Sequence, residues 1–114
     1  MIIDHAWLEH FPGAITVCDE RGTIIEMNAK SASTFQADGG RALVGTNLRA
    51  CHPEAALAKL EALFEGRQTN VYTIRKAGIR KLIYQSPWYR DGQFAGIVEL
   101  SLEIPAEVPE FVRA

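Results

Sequence analysis

The sequence predicts an α+β domain: an antiparallel sheet with helices over one face. Three observations predict it. Strand-like runs lie at both ends of the chain with helix-like runs between them. The clearest helical segment repeats its apolar residues at i, i+3, i+4 and i+7. The last strand-like run alternates apolar and polar residues with a period of two.

Each element has a local cause. Asp4 is placed to cap a short helix that carries Ile3, Trp7 and Leu8 and ends before Pro12, so residues 1–11 read as an N-terminal capping helix. Two β-rich runs, 14–19 and 23–27, flank Glu20-Arg-Gly22 and predict a hairpin. Asn28 is a good N-cap for the small-residue stretch 29–35, which Asp38-Gly-Gly40 breaks. Residues 53–64 predict the long helix. Ala56, Leu57, Leu60, Leu63 and Phe64 form its apolar face, Glu54, Lys59, Glu61 and Glu65 its polar face, and Gly66 its expected C-cap. Three strands are predicted after it, with turns at Ala77-Gly78 and Asp91-Gly92. In the last of them Phe94, Gly96, Val98, Leu100, Leu102 and Ile104 share one face, and Glu99, Ser101 and Glu103 the other. Residues 12–104 therefore read as one domain, and 105–114 as an extended tail interrupted by Pro105 and Pro109.

Composition excludes several classes of function. The 114 residues are 47% apolar and 23% charged, an ordinary globular balance, and long enough for a core without staples. A net charge of -2 leaves no footprint for nucleic acid. Arg75, Lys76, Arg80 and Lys81 flank a turn and read as a solvated hairpin end. No apolar run approaches the about 18 residues of a membrane span, and the N-terminus lacks a secretory pattern, so a cytoplasmic protein without a membrane partner is expected. Cys18 and Cys51, the two cysteines, are expected as free thiols there.

The order of elements, with their motifs, resembles the PAS sensory domain from about residue 8 to residue 104, and within that family bacterial modules. The stretch Ile15-Thr-Val-Cys-Asp-Glu-Arg-Gly-Thr-Ile-Ile-Glu-Met-Asn28 is similar to the PAS opening: strand, Asp-x-x-Gly, strand, capping Asn. Val44-Gly-Thr-Asn-Leu48 is similar to the segment before the long PAS helix, and Asp91-Gly-Gln-Phe-Ala-Gly96 to the last hairpin. The resemblance implies a profilin-like, five-stranded antiparallel sheet of order 2-1-5-4-3 with helices on one face. It also implies that any ligand pocket lies between the long helix and the inner sheet face.

Cofactor-bearing relatives test the stretch Gly45-Thr-Asn-Leu-Arg-Ala-Cys-His52. It resembles the flavin-adduct motif at Asn47 and Arg49, but Leu48 stands where the adduct cysteine belongs, so an FMN photoadduct is not expected. The oxygen-sensing haem position, about two turns into the long helix, falls near Leu60, which cannot ligate iron. Haem held by Cys51 or His52 stays open but is not favoured. Adjacent Cys51 and His52 diverge in an extended segment, and His5, His10 and Cys18 show no ligand spacing with them, so no metal site is predicted. The simplest reading has Pro53 at the first helical position and His52 as N-cap. A pocket-lining or redox role for Cys51, its thiol acidified by the helix N-terminus, is the alternative.

No catalytic motif appears, and neighbouring Cys and His rarely face each other, so no enzyme is expected. The leading expectation is a signal-transduction module that senses a small apolar or aromatic ligand, or binds a signalling partner. Its pocket candidates are Asn47, Cys51, His52, Leu57, Leu60, Phe64, Tyr72, Ile74, Tyr84, Trp88 and Val98. The competing expectation is a ligand-free homodimer that uses Ile3, Trp7 and Leu8.

Overall fold

The first hairpin forms because Asp19 closes its own turn. Its Oδ1 accepts from the N–H groups of Arg21 at 2.9 Å and Thr23 at 3.0 Å, which is the physical content of the Asp-x-x-Gly pattern. Asn28 ends the hairpin with all its side-chain capacity used. Its Oδ1 accepts from Ser31 N and Ile15 N, both at 3.0 Å, and its Nδ2 donates to the carbonyls of Leu8 and Gly13. One residue thereby caps a helix, pins a strand and holds the N-terminal segment.

The computed structural model describes residues 4–51 and 54–114, the side chains of 51, 55 and 56 excepted. In order these form α1 (Ala6–His10), β1 (Ala14–Asp19), β2 (Ile24–Met27) and α2 (Ala29–Thr34), then two 3-10 turns at Gln36–Asp38 and Gly40–Leu43. There follow α3 (Leu48–Cys51), α4 (Glu54–Gly66), β3 (Asn70–Lys76), β4 (Ile79–Arg90) and β5 (Gln93–Ile104). The strands make one antiparallel sheet in the order β2-β1-β5-β4-β3, as the resemblance to PAS domains implies.

The register decides which face the helices cover. Cys18 lies opposite Ile97, and both pack against Leu60, Leu63 and Phe64 of α4. Thr16, two residues from Cys18 and so on the same face, hydrogen-bonds Ser31 of α2 at 2.5 Å. Both helices therefore lie on one side. Alternation then assigns Ile83 and Gln85 of β4, and Ile97, Glu99 and Ser101 of β5, to the helix side. Ile15, Val17, Leu82, Tyr84, Val98, Leu100 and Leu102 fall on the other side.

Four local expectations are corrected. α4 runs through Gly66, and the left-handed residue after it is Arg67 (φ 51°), whose N–H bonds Leu63 O at 2.9 Å. The N-cap of α1 is His5, while the Asp4 carboxylate accepts from Ala6 N at 2.8 Å, one residue early for capping. Phe94 does not share a face with Val98. Trp88 pairs with Gly96 and Tyr89 with Phe94, so Ala95 is an extra residue, and this bulge swings Phe94 to the helix side. There its ring meets Phe64 edge-on, centroids 6.2 Å apart. Finally, the apolar face of β5 is turned away from the helices.

Candidate functional site

The two faces of the sheet offer different chemistry. On the helix side, α4 seats Leu60, Leu63 and Phe64 over Cys18 and Ile97, and Leu57, Leu48 and Phe94 pack round them. Burial pushes the Cys18 thiol up from its ordinary 9.0 to about 11, against a hydrogen bond from the Ile97 backbone. Toward β3 the same face turns polar. Asn70 donates to Gln85 Oε1 at 3.0 Å, and Gln85 donates to Glu99 Oε1 at 2.8 Å, a row running across three strands. Partial burial, and then the Glu99 carboxylate, raises the Tyr72 phenol, opposed by a hydrogen bond with Gln85.

The approach to α4 is held by Asn47 and Arg49. Asn47 caps α3: its Oδ1 accepts from Arg49 N at 3.0 Å and its Nδ2 donates to Arg21 O at 2.8 Å. Arg49 also donates to Arg21 O, pairs with Glu61 of α4 and stands 5.0 Å from the Phe64 ring centroid. That guanidinium holds the Glu61 carboxyl below the usual carboxylate range. Asn47 and Arg49 thus tie the first turn to the long helix. Among the described residues, no group of three or more His, Cys, Asp or Glu is placed to hold a metal ion, and no helix is long and apolar enough to cross a membrane.

On the other side a contiguous apolar row crosses β1, β5 and β4, with Glu26, Thr73, Ser86, Arg75 and Arg80 around it by register. Ile15, Val17, Leu82, Val98, Leu100 and Leu102 are half-buried among themselves, while Ile25, Val71 and Tyr84 are 45%, 50% and 39% exposed. The loop before β1 packs closely against Leu102 of this face: a Cβ placed on Gly13 would press on Leu102 and Phe11. At the far end, an open cleft of about 400 Å³ lies between the β3–β4 turn and the end of β5.

The expected pocket residues are therefore divided. Leu57, Leu60 and Phe64 face the sheet, and the last two are buried in the core. Tyr72 and Ile74 are on the helix side by register with Ile83 and Lys81. Val98, Tyr84 and Trp88 alternate onto the opposite face. Trp88 sits across from Gly96 with its indole N–H donating to Cys18 O at 3.0 Å. Asn47 is bound up in capping. His52, Pro53, Ile3 and the side chains of Cys51 and Ala56 lie outside the described residues. Of the expected dimer residues, Trp7 is 64% exposed, whereas Leu8 is half-buried beside Asn28. Sequence reasoning missed the Asn70–Gln85–Glu99 row, which only strand register brings together. It also missed the outer face as a surface, although the β5 alternation is its signal.

At the level of sequence, no family model and no curated protein matches the chain. Among solved structures, a C-terminal domain from Streptococcus mutans superposes with a TM-score of 0.73 at 21% identity, over 87% of this chain and 81% of that one. A receptor of Vibrio cholerae, a dual PAS-haem oxygen sensor, gives 0.64 at 16% identity, over 82% and 95%. The PAS domain of nitrogen regulation protein NR(II) from Vibrio parahaemolyticus gives 0.60 at 18% identity, over 91% and 100%. Strand order, helices on one face and these likenesses establish that the chain has the fold of a PAS domain.

Proposed function

We propose that this domain is a non-catalytic sensory and interaction module of signal transduction that works by association through its outer sheet face, with a second copy of the chain as the partner. One observation carries the reading: the row Ile15, Val17, Leu82, Tyr84, Val98, Leu100 and Leu102 is apolar, contiguous by register and turned away from α2 and α4. A sheet face exposed to water is ordinarily polar, and an apolar one marks a contact surface. The likeness to PAS domains of a sensor and a regulator supports the signalling role.

A small apolar or aromatic ligand is the second reading. Tyr72 and Ile74 are 43% and 38% exposed on the helix side, beside the Asn70–Gln85–Glu99 row, so an apolar surface stands next to a polar handle. Native mass spectrometry of gently purified protein reads both at once. The expected result is a dimer at micromolar concentration that Leu100→Lys converts to monomer. A wild-type protein that stays monomeric sinks the association reading, and a small-molecule mass carried by the monomer would put the ligand reading first.

A further inference from the structure

Residues 105–114 leave the sheet at the end of β5 and carry three strongly exposed large apolar side chains, two of them the most exposed among the described residues. Val108, Phe111 and Val112 are 60%, 75% and 89% exposed. A buried Phe removes roughly 150–250 Å² from water, so leaving it out is costly for a segment that has no sheet or helix of its own to support. Pro105 and Pro109 restrict the backbone of the segment, which bends at 106–107, and so lower the entropy lost if it docks. Glu107 and Glu110 alternate with the apolar residues, and neither is in an ion pair among the described residues.

The cleft at the same end of the sheet has the complementary chemistry. It is lined by the apolar Ile79 and Ile104, by Gly78 and by the two arginines Arg75 and Arg80. The two arginines are direct cross-strand partners, a like-charge pairing that costs stability unless an anion comes between them. Neither is paired with a carboxylate among the described residues. Arg80 spends one N–H on Ala106 O at 2.9 Å, and Glu103, also on the wall, is drawn 3.7 Å from Lys30. By register Arg75, Arg80 and Ile104 lie on the same side as Leu82 and Tyr84, while Ile79 and Glu103 alternate to the helix side, so the cleft sits at the end of the sheet beside the outer apolar face.

We infer that residues 107–112 form an arm that docks on the outer face of a second copy, Phe111 entering its Ile79–Ile104 cleft and Glu107 and Glu110 meeting its Arg75 and Arg80. This rests on the association reading above and adds the segment and charges that specify it. The arm does not occupy its own cleft. Ala106 is itself part of the cleft, and although the chain bends at 106–107, Phe111 stays 75% exposed. One arm and one cleft per copy close a twofold dimer without leaving a free end.

The test is the dimer dissociation constant of the full chain, measured by sedimentation with melting curves to confirm that each variant is folded. The reversed arm (Glu107→Arg with Glu110→Arg) and the reversed cleft (Arg75→Glu with Arg80→Glu) should each weaken the dimer about tenfold or more. Combining all four should restore it to within about threefold of wild type. Phe111→Ala should weaken it by about tenfold as well. If these variants change the constant less than twofold while Leu100→Lys still gives monomer, the sheet-face reading stands and the arm is wrong. Failure of the combined variant to recover also overturns the arm. A monomeric wild type overturns both.

Discussion

At the residue scale the two cysteines have different fates. The Cys51–His52 pair draws the eye in the sequence, yet the thiol whose surroundings the structure defines is Cys18, which the sequence shows only as one more residue of a strand. Its side chain is 2% exposed against Ile97 and α4, and burial raises it to about 11. The folded protein therefore holds the neutral thiol, while the unfolded chain ionises from about pH 9. Between those values the unfolded state binds fewer protons, so this contribution is complete below pH 9 and is lost as pH rises to about 11. At roughly 1.4 kcal/mol per pH unit, the loss totals about 3 kcal/mol. Urea titrations from pH 8 to 11 should show wild-type stability falling more steeply than that of Cys18→Ala, whose parallel fall would refute the assignment. Asn28 is the contrary case. Its capping role was legible because a cap needs only local sequence, whereas its bonds to Leu8 and Gly13 depend on the tertiary path of the chain.

At the element scale, the strands, α2 and α4 were legible. The short α3 was not, since the stretch up to Cys51 that reads as extended is helical over Leu48–Cys51, and facing was not legible either. The alternation of β5 correctly grouped Gly96, Val98, Leu100, Leu102 and Ile104, but nothing local says whether an apolar row meets a helix or solvent. The choice is made by β1, where Cys18 and Thr16 meet α4 and α2, and by the extra residue at Ala95. Gly96 is what allows that bulge to sit against β1. Its φ is 144°, and a Cβ there would collide with the carbonyl of Cys18 and lie 2.8 Å from Asp19 Cα. These are backbone atoms of the central strand pair and cannot move aside. Gly96→Ala should therefore lower stability by more than about 3 kcal/mol. At Gly78, also at positive φ, an added Cβ meets nothing within 4 Å, so Gly78→Ala should cost only about 1 kcal/mol. Equal losses in urea denaturation would show that strain at φ alone, and not the close approach to β1, makes Gly96 necessary.

At the scale of the whole molecule, the strand order is the one the resemblance to PAS domains implies, and it joins the hairpin at one end and the three-strand meander at the other into one sheet with the middle helices on a single face. The consequence hidden from the sequence is an imbalance between the faces. The polar row of Asn70, Gln85 and Glu99 lies on the side that α2 and α4 occupy, and the aliphatic row of β1, β4 and β5 lies on the side they leave open. A domain arranged this way keeps part of its hydrophobic stabilisation in reserve for association. Folding and assembly are then linked, because any partner that binds only the native sheet stabilises it by mass action. For a dimer, a tenfold rise in protein concentration adds about 1.4 kcal/mol per dimer, which for a domain of this size raises the melting midpoint by about 3 °C. Leu100 is half-buried on the outer face and makes no contact with α4, so Leu100→Lys should melt near the dilute wild-type value and show no dependence on concentration. Scanning calorimetry over a hundredfold range of concentration reads this directly. A wild-type midpoint that stays constant across that range would mean that the outer face is not stabilised by a second copy.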